Sequence, residues 1–456
     1  MRKGNCFTVI LTGIILAVLV SCGKKTAEQA PAQDTLQTAA PDSTKEYHQV
    51  INLPPPDEKG AVTKYSKVIG WPEGKMPQVP DGLIISRFAD KLKSPRNIYV
   101  APNGDIFVAL ANTESKGLKK VTDAITGRDD SQHTQGSLNE VVLLRDKDGD
   151  GQPEVRSVYL SGLNKPFGLL VSNNYFYVAN TDGVWRYPYN ENETRQTAKG
   201  QKIVELPAGG YNNHWTRNLL ANEDGSKIYI SVGSASNVAE HGMDEEKERA
   251  NILEINPDGT GRRIYAGGLR NPVGMDWAPG THDLWTVVNE RDKLGDDLVP
   301  DYLTHVKPDG FYGWPYSYFG QNLDPRIKEK DQRPDLVQRA ITPDLALDSH
   351  SATLGLTFYE HKDLPAKYHG GALISQHGSW NRSVFTGYRV AFVPFRNGKL
   401  DGPAEDFVTG FIADDTKGEV YGRPVAAAVT KEGYVLITDD ASDIIWLVRT
   451  KKGNRE

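Results

Sequence analysis

Residues 94–110 read SPRNIYVAPNGDIFVAL. Apolar and polar side chains alternate on both sides of the Asn103-Gly104 turn, the pattern of two antiparallel strands joined by a hairpin, each burying one face. The same phrase returns from Lys165 (KPFGLLVSNNYFYVAN), Thr216 (TRNLLANEDGSKIYISVG), Arg270 (RNPVGMDWAPGTHDLWTVVN), Thr353 (TLGLTFYEHKDLPAKYHGGALIS) and Arg423 (RPVAAAVTKEGYVLITDD). Six units at intervals of roughly 50 to 80 residues point to a radial repeat. The reading is all-β: a six-bladed β-propeller with four-stranded antiparallel blades. With 44 glycines and 27 prolines the chain leaves little room for long helices. β-Sandwiches and β-helices share the regular strand spacing. The long polar inserts at 113–136 and 292–348 favour the propeller, because they fall within single units, as loops gathered on one face of a central channel would.

Outward from the repeat, the start of the chain reads differently. Arg2 and Lys3 precede an apolar run, Phe7 to Val20, that is shorter than a bilayer span and is expected to be a secretory signal over 1–21. Leu19-Val20-Ser21-Cys22 resembles the lipobox of bacterial lipoproteins, which implies acylation of Cys22, a lipid anchor in a membrane and a periplasmic or extracellular location. Residues 22–60, rich in Ala, Gln, Thr, Pro and Lys, read as a disordered tether, leaving 61–456 for the propeller. The two cysteines are Cys6 and Cys22, so 61–456 holds no disulfide, zinc-thiolate site or thiol nucleophile. A net charge of -6 with both signs mixed excludes the basic stripe that nucleic acid requires.

The densest chemistry lies in GLRNPVGMDW (268–277), VVNERDKLGDDLVPDYLTHV (287–306) and GFYGWPYSY (310–318). Together these segments resemble the sorbosone and glucose dehydrogenase group of propellers that use pyrroloquinoline quinone (PQQ), and in particular a lipoprotein branch related to PQQ-dependent pyranose dehydrogenases. The resemblance runs from Asp81 to Arg449. It implies PQQ and Ca²⁺ as cofactors, oxidation of a pyranose C1 hydroxyl or a sugar-derived aldehyde such as sorbosone, and an external electron acceptor, a quinone or cytochrome.

PQQ is a planar tricarboxylate, so its site needs guanidinium forks, a cation near the quinone and a base near the substrate hydroxyl. Arg270 and Asn271 match the pair that in the family contacts the quinone oxygens. The carbonyls of Arg291 and Asp292 match the calcium ligands, with Asp296 and Asp297 either supporting them or merely solvating a loop. In GGYNNHWTRNLL (209–220), His214 stands where the family supplies its catalytic base; Asn213 replaces the acidic residue usual before it, which leaves the partner that orients the ring open. The resemblance places His350 near the cofactor and gives Arg382 and Arg423 to its carboxylates. Trp380 is a stacking surface or core, and Trp314, Tyr316 and Tyr318 either form an aromatic rim or pack within the insertion. Asp146, Asp148 and Asp150, in DKDGDG, begin like a calcium loop, but Ser157 takes the place of the closing Glu. The expectation is a second, structural Ca²⁺ or a plain acidic turn. Two rival functions share the architecture: a calcium-dependent sugar lactonase, against which the arginines argue, and a non-catalytic propeller that binds glycans or proteins.

Overall fold

Once their side chains are buried, the backbone groups of these apolar runs can be satisfied only by neighbouring strands. Each of the six units solves this in the same way. In a computed structural model of the chain, which describes residues 47–113, 128–131 and 136–451, every repeat phrase supplies the first two strands of an antiparallel meander. The first sheet runs Pro95–Val100, Ile106–Leu110, Glu140–Arg145, Val155–Leu160. The second runs Gly168–Ser172, Tyr175–Asn180, Gly183–Pro188, Gln201–Glu205. The third runs Leu219–Ala221, Ile228–Val232, Asn251–Ile255, Arg263–Gly267, and gains a short parallel strand, Gly310–Phe311. The fourth is Pro272–Trp277, Leu284–Val288, Pro300–His305, Leu345–Ser349, and the fifth Thr353–Phe358, Ala372–Gln376, Arg389–Val393, Glu405–Val408. The sixth joins Pro424–Val429, Val435–Asp439 and Ile444–Thr450 to Leu83–Ala89 from the other end of the sequence.

The first strand of each sheet touches the first strand of the next, and the sixth touches the first again. Glycines permit this approach. A Cβ on Gly274 would lie 2.4 Å from Leu356 N, and one on Gly355 2.7 Å from Val425 O. Five of the six second strands are buried along their whole length, as in Ile106–Leu110, Ile228–Val232 and Val435–Asp439, and the sixth, Tyr175–Asn180, is buried except at Tyr175. This corrects the half-buried reading: each sheet is covered on both faces by its neighbours, and the period-two alternation distributes side chains between two cores instead of between core and solvent. Leu170, Tyr177, Ile228 and Ile230 share one such core, and Trp285, Leu303, Leu356 and Ile374 another.

The expected signal, Cys22 and the tether as far as residue 46 lie outside the described residues. The last part of the expected tether, 47–60, is laid against the sheets. Tyr47 N donates to Leu400 O at 3.3 Å, Asp57 N to Leu294 O at 2.9 Å, and the Gln49 amide pairs with the backbone of Ala346. Leu53 packs on an apolar cluster with Leu294 and Tyr302. The compact unit therefore begins near Glu46 and not at 61.

Candidate active site

At the end of the ring where the first strands begin, side chains from several sheets converge on a cavity of about 380 Å³, within the range of small-molecule sites. His214 lines it from the segment that leads into the third sheet. Arg217, fully buried, fixes that segment by donating to the carbonyls of Pro207, His214 and Thr216 at 2.7–2.8 Å. His214 Nδ1 lies 2.9 Å from Ser234 O and 3.0 Å from Ser234 Oγ. A carbonyl can only accept, so Nδ1 carries the proton and Nε2 keeps its lone pair, with no partner among the described residues. Burial, with the charge of Arg270 added, holds the ring's pKa down to about 3, although part of the ring opens to the cavity. The orienting partner that the sequence left open is thus a backbone carbonyl.

That carbonyl is itself held. Glu246, buried, accepts from Ala235 N at 2.7 Å, Ser236 N at 3.0 Å and Ser236 Oγ at 2.6 Å, while Ser234 N donates to Arg270 O at 2.7 Å. One carboxylate thereby fixes the loop that joins His214 to Arg270. Gly233 leaves the space they need: a Cβ there would lie 2.2 Å from Asn271 Oδ1 and 2.7 Å from His214 Cβ.

Arg270, 1% exposed, commits every guanidinium nitrogen to protein oxygens. Nε donates to Asn237 O, Nη1 to Asn289 O and Glu290 O, and Nη2 to Asn237 Oδ1 and Asp292 Oδ2, at 2.6–3.2 Å. It offers the cavity a charge more than a free fork. Asn271 Oδ1 beside it is buried without a hydrogen-bond partner among the described residues. Arg423 donates to His377 O at 3.0 Å and Gly378 O at 3.2 Å and lines the same cavity.

Arg96, His377 and Asp440 were missed from sequence. Arg96 Nη1 meets Asp440 Oδ2 at 2.5 Å, and Asp440 Oδ1 lies 2.8 Å from His377 Nε2. Burial and then Arg423 push His377 down to about 3. The signal for Arg96 was present: SPRN, TRNL, LRNP and GRPV put arginine at the entry of four first strands, at Arg96, Arg217, Arg270 and Arg423, and three of these line the cavity.

Other expected residues stand elsewhere. Arg382 is not part of the lining; Nη1 donates to Asp296 O at 2.8 Å and Nη2 pairs with Asp297 at 2.7 Å. The Asp296 carbonyl and the Asp297 carboxylate hold it there, while the Asp296 carboxylate accepts from Ser383 N. His350 stands one layer behind the wall, between Asp292 Oδ1 at 3.3 Å and Gly295 O at 2.8 Å. Burial works against its charge, but the bond to Asp292, the charges of Asp292 and Asp301 and the Gly295 carbonyl together outweigh it and raise its pKa. Asp301 ties these loops together, accepting from Glu290 N, Ser351 Oγ and Thr353 N. The Arg291 side chain turns away to pair with Asp324 at 2.9 Å, and Asp292 O accepts from Asn237 Nδ2 at 3.0 Å. Trp314 and Tyr318 are buried and, with Tyr316, stand outside the lining; the aromatic wall is Tyr65, Tyr211, Trp215 and Trp380.

The carboxylates of Asp146, Asp148, Asp150 and Glu154 come within 4.8 Å of one another at the turn between the third and fourth strands of the first sheet. Asp146 accepts from Gly149 N and Gly151 N at 2.9 Å each, and Glu154 from Lys147 N at 2.6 Å. The turn is closed by its own donors, and Glu154, not Ser157, completes the cluster.

A family model described as TrAA12-like matches residues 77–300 and 319–451. A Borreliella burgdorferi chain described as an uncharacterized protein is 28% identical over 308 residues, 64% of this chain and 77% of its own length. Among solved structures, a Trichoderma reesei enzyme of carbohydrate-active family AA12 superposes with a TM-score of 0.66 at 19% identity, covering 82% of this chain and 98% of its own. The holo form of the pyranose dehydrogenase PQQ domain from Coprinopsis cinerea gives 0.66 at 17%, covering 84% and 100%. The PQQ-bound aldose sugar dehydrogenase of Streptomyces coelicolor gives 0.52 at 16%, covering 82% and 100%. At these identities the structural likeness speaks to the fold.

Proposed function

Because the chain belongs to the TrAA12-like family, we propose that its six sheets are the blades of one propeller and that its cavity binds PQQ and Ca²⁺ to oxidise a sugar at the pyranose C1 hydroxyl, or a sugar-derived aldehyde such as sorbosone. The observation that carries this reading is the convergence of Arg96, Arg270, Arg423 and His214 on one cavity. Three buried arginines set a positive potential at one cleft even with their N–H groups bonded to protein oxygens, and a flat tricarboxylate is an anion that such a cleft attracts. Asn271 Oδ1 supplies a fit test: a buried acceptor on the lining with no partner among the described residues, it can take the pyrrole N–H of PQQ or a sugar hydroxyl. The Coprinopsis structure is described as the holo form of a PQQ domain, the Streptomyces structure as a PQQ-bound form and a Trichoderma AA12 structure as a calcium structure, which supports the same cofactors here.

When bound, PQQ supplies the acceptor for the two electrons that leave the sugar carbon as hydride. The chain's own residues do the rest. His214 Nε2 accepts the hydroxyl proton, and as the ring becomes charged, its Nδ1–H bond to Ser234 O strengthens. Glu246 keeps that carbonyl in place as a positioning residue. The fixed charge of Arg270 on the cavity lining would stabilise negative charge that develops on a bound acceptor. Oxygens of the 289–292 loop, with the Arg291 and Asp292 carbonyls first among them, would hold Ca²⁺. Acylated Cys22 would hold the enzyme at a membrane facing the periplasm or exterior, where a quinone or cytochrome takes the electrons.

The test is reconstitution. Purified protein is given PQQ and Ca²⁺ and assayed for dye reduction with aldoses, pentoses and 2-ketoaldehydes. Activity should depend on both additions, and His214→Ala should lower kcat by about 10²- to 10⁴-fold with PQQ binding retained. Equal rates in variant and parent would remove His214 from the reaction.

A further inference from the structure

The family match begins at residue 77, yet two residues that line the cavity, Tyr65 and Ser66, precede it. They lie on a strap, 62–71, that crosses the fifth and sixth sheets and is tied on both sides of Tyr65. Asn381 Nδ2 donates to Val62 O at 2.6 Å, and Lys64 N to Trp380 O at 2.8 Å. The Lys64 ammonium pairs with Asp415 at 3.1 Å and lies over the Phe385 ring. Beyond Tyr65, Lys67 N donates to Gly418 O at 2.7 Å, Ile69 N to Val420 O at 2.9 Å, and Trp71 Nε1 to Asp439 Oδ2 at 2.9 Å. Between these ties the Tyr65 ring stacks on Trp380, with centroids 5.7 Å apart and planes 14° from parallel.

Depth separates this pair from the charged groups. Arg270, Arg423 and Arg96 are 1%, 2% and 7% exposed, whereas Tyr65 and Trp380 are half-buried. The guanidiniums form the floor and the aromatic pair belongs to the mouth. A planar cofactor held on the floor leaves the mouth to the substrate, and stacked rings beside polar groups suit the C–H face of a pyranose. We propose that Tyr65, delivered by the strap, is a specificity-determining residue that positions the sugar ring by fixing Trp380 as the substrate wall. This rests on the sugar dehydrogenase reading above.

The experiment compares Tyr65→Ala, Tyr65→Leu and Tyr65→Phe with the parent in the full-length, PQQ- and Ca²⁺-loaded protein. It measures kcat and KM over hexoses, pentoses and disaccharides, sugar affinity by calorimetry, and PQQ affinity by fluorescence. Tyr65→Ala and Tyr65→Leu should raise KM and the sugar Kd by about 3- to 10-fold and alter the ranking of sugars, with kcat and PQQ affinity nearly unchanged. Tyr65→Phe should restore the parent values. The leucine variant keeps apolar bulk in the strap and reads the effect even if the alanine variant folds poorly. KM and Kd unchanged for every sugar, or a PQQ affinity that falls with them, would overturn the proposal. A parent that binds sugars but oxidises none refutes the dehydrogenase reading, while the variants still decide the role of Tyr65; a parent that binds none refutes both.

Discussion

At the scale of single residues, the site depends on which polar atoms are already spoken for. Arg382 and Arg423 look alike in sequence. In the fold, the Asp296 carbonyl and the Asp297 carboxylate hold the first away from the cavity, whereas the second lines the cavity while bonding His377 O and Gly378 O. Arg96→Gln and Arg423→Gln should therefore each weaken PQQ binding by about 10- to 100-fold, the worth of one charge-assisted contact, and Arg382→Gln should leave it unchanged. Fluorescence titration of PQQ checks this; a loss in Arg382→Gln equal to that in Arg423→Gln would reverse the assignment. The arginines were legible because they recur at one place in a repeat. The partner of His214 was not, since a backbone carbonyl has no identity in sequence. Of the two readings open for Trp314 and Tyr318, packing within the insertion is the one found: Trp314 bonds Asn237 O and Tyr318 joins an apolar cluster.

Between elements, the sheets are joined at the ring by a few buried polar staples, and Asp276 is one whose charge can be followed. It sits on the first strand of the fourth sheet and accepts from Trp277 N and, in the fifth sheet, from Phe358 N at 2.7 Å. Burial raises its pKa from 3.8 to about 7. The native state then holds a proton that the unfolded chain has released, so this contribution to stability is fully present below pH 3.8 and is lost as pH rises through 7. The stability of the parent relative to Asp276→Asn should fall from about pH 4 to 7, by at most roughly 1.4 kcal/mol per pH unit. Denaturant melts of both proteins across that range measure the slope; a flat difference would show that the carboxyl ionises freely in the fold. Such staples escape a reading by period, which sees the alternation of Pro272–Trp277 but not the strand brought against it. The first two strands were legible because a short turn joins them in every sheet but the fifth, where 359–371 intervene. The third and fourth were less so, because inserts such as 292–348 separate them from the phrase that announces the unit.

For the molecule as a whole, the decisive contact joins the ends of the folded chain. Leu83–Ala89 pairs with Ile444–Thr450 to complete the sixth sheet, a closure that no local pattern reveals. Ile445, Trp446, Leu447 and Val448 on that last strand are at most 1% exposed. Their burial contributes about 6–12 kcal/mol, comparable with the entire stability of a typical domain, about 5–15 kcal/mol. Deleting residues 444–456 should abolish cooperative unfolding by near-ultraviolet circular dichroism and heat; a deletion that still melts in one sharp transition would mean that the ring does not need its clasp. The same closure brings Asp440 and Arg423 from the C-terminal sheet to Arg96 in the first, so the floor of the cavity exists only in the closed ring.

The central claim is that this floor holds one flat, anionic redox cofactor while His214 faces the substrate. Its most direct test is a titration of PQQ with Ca²⁺ into the apoprotein, followed by fluorescence, in the parent, Arg270→Gln, Arg423→Gln and His214→Ala proteins. Saturable one-to-one binding is expected in the parent, weakened in both arginine variants and retained in His214→Ala. Absence of saturable binding, or binding indifferent to both arginines, would contradict the account.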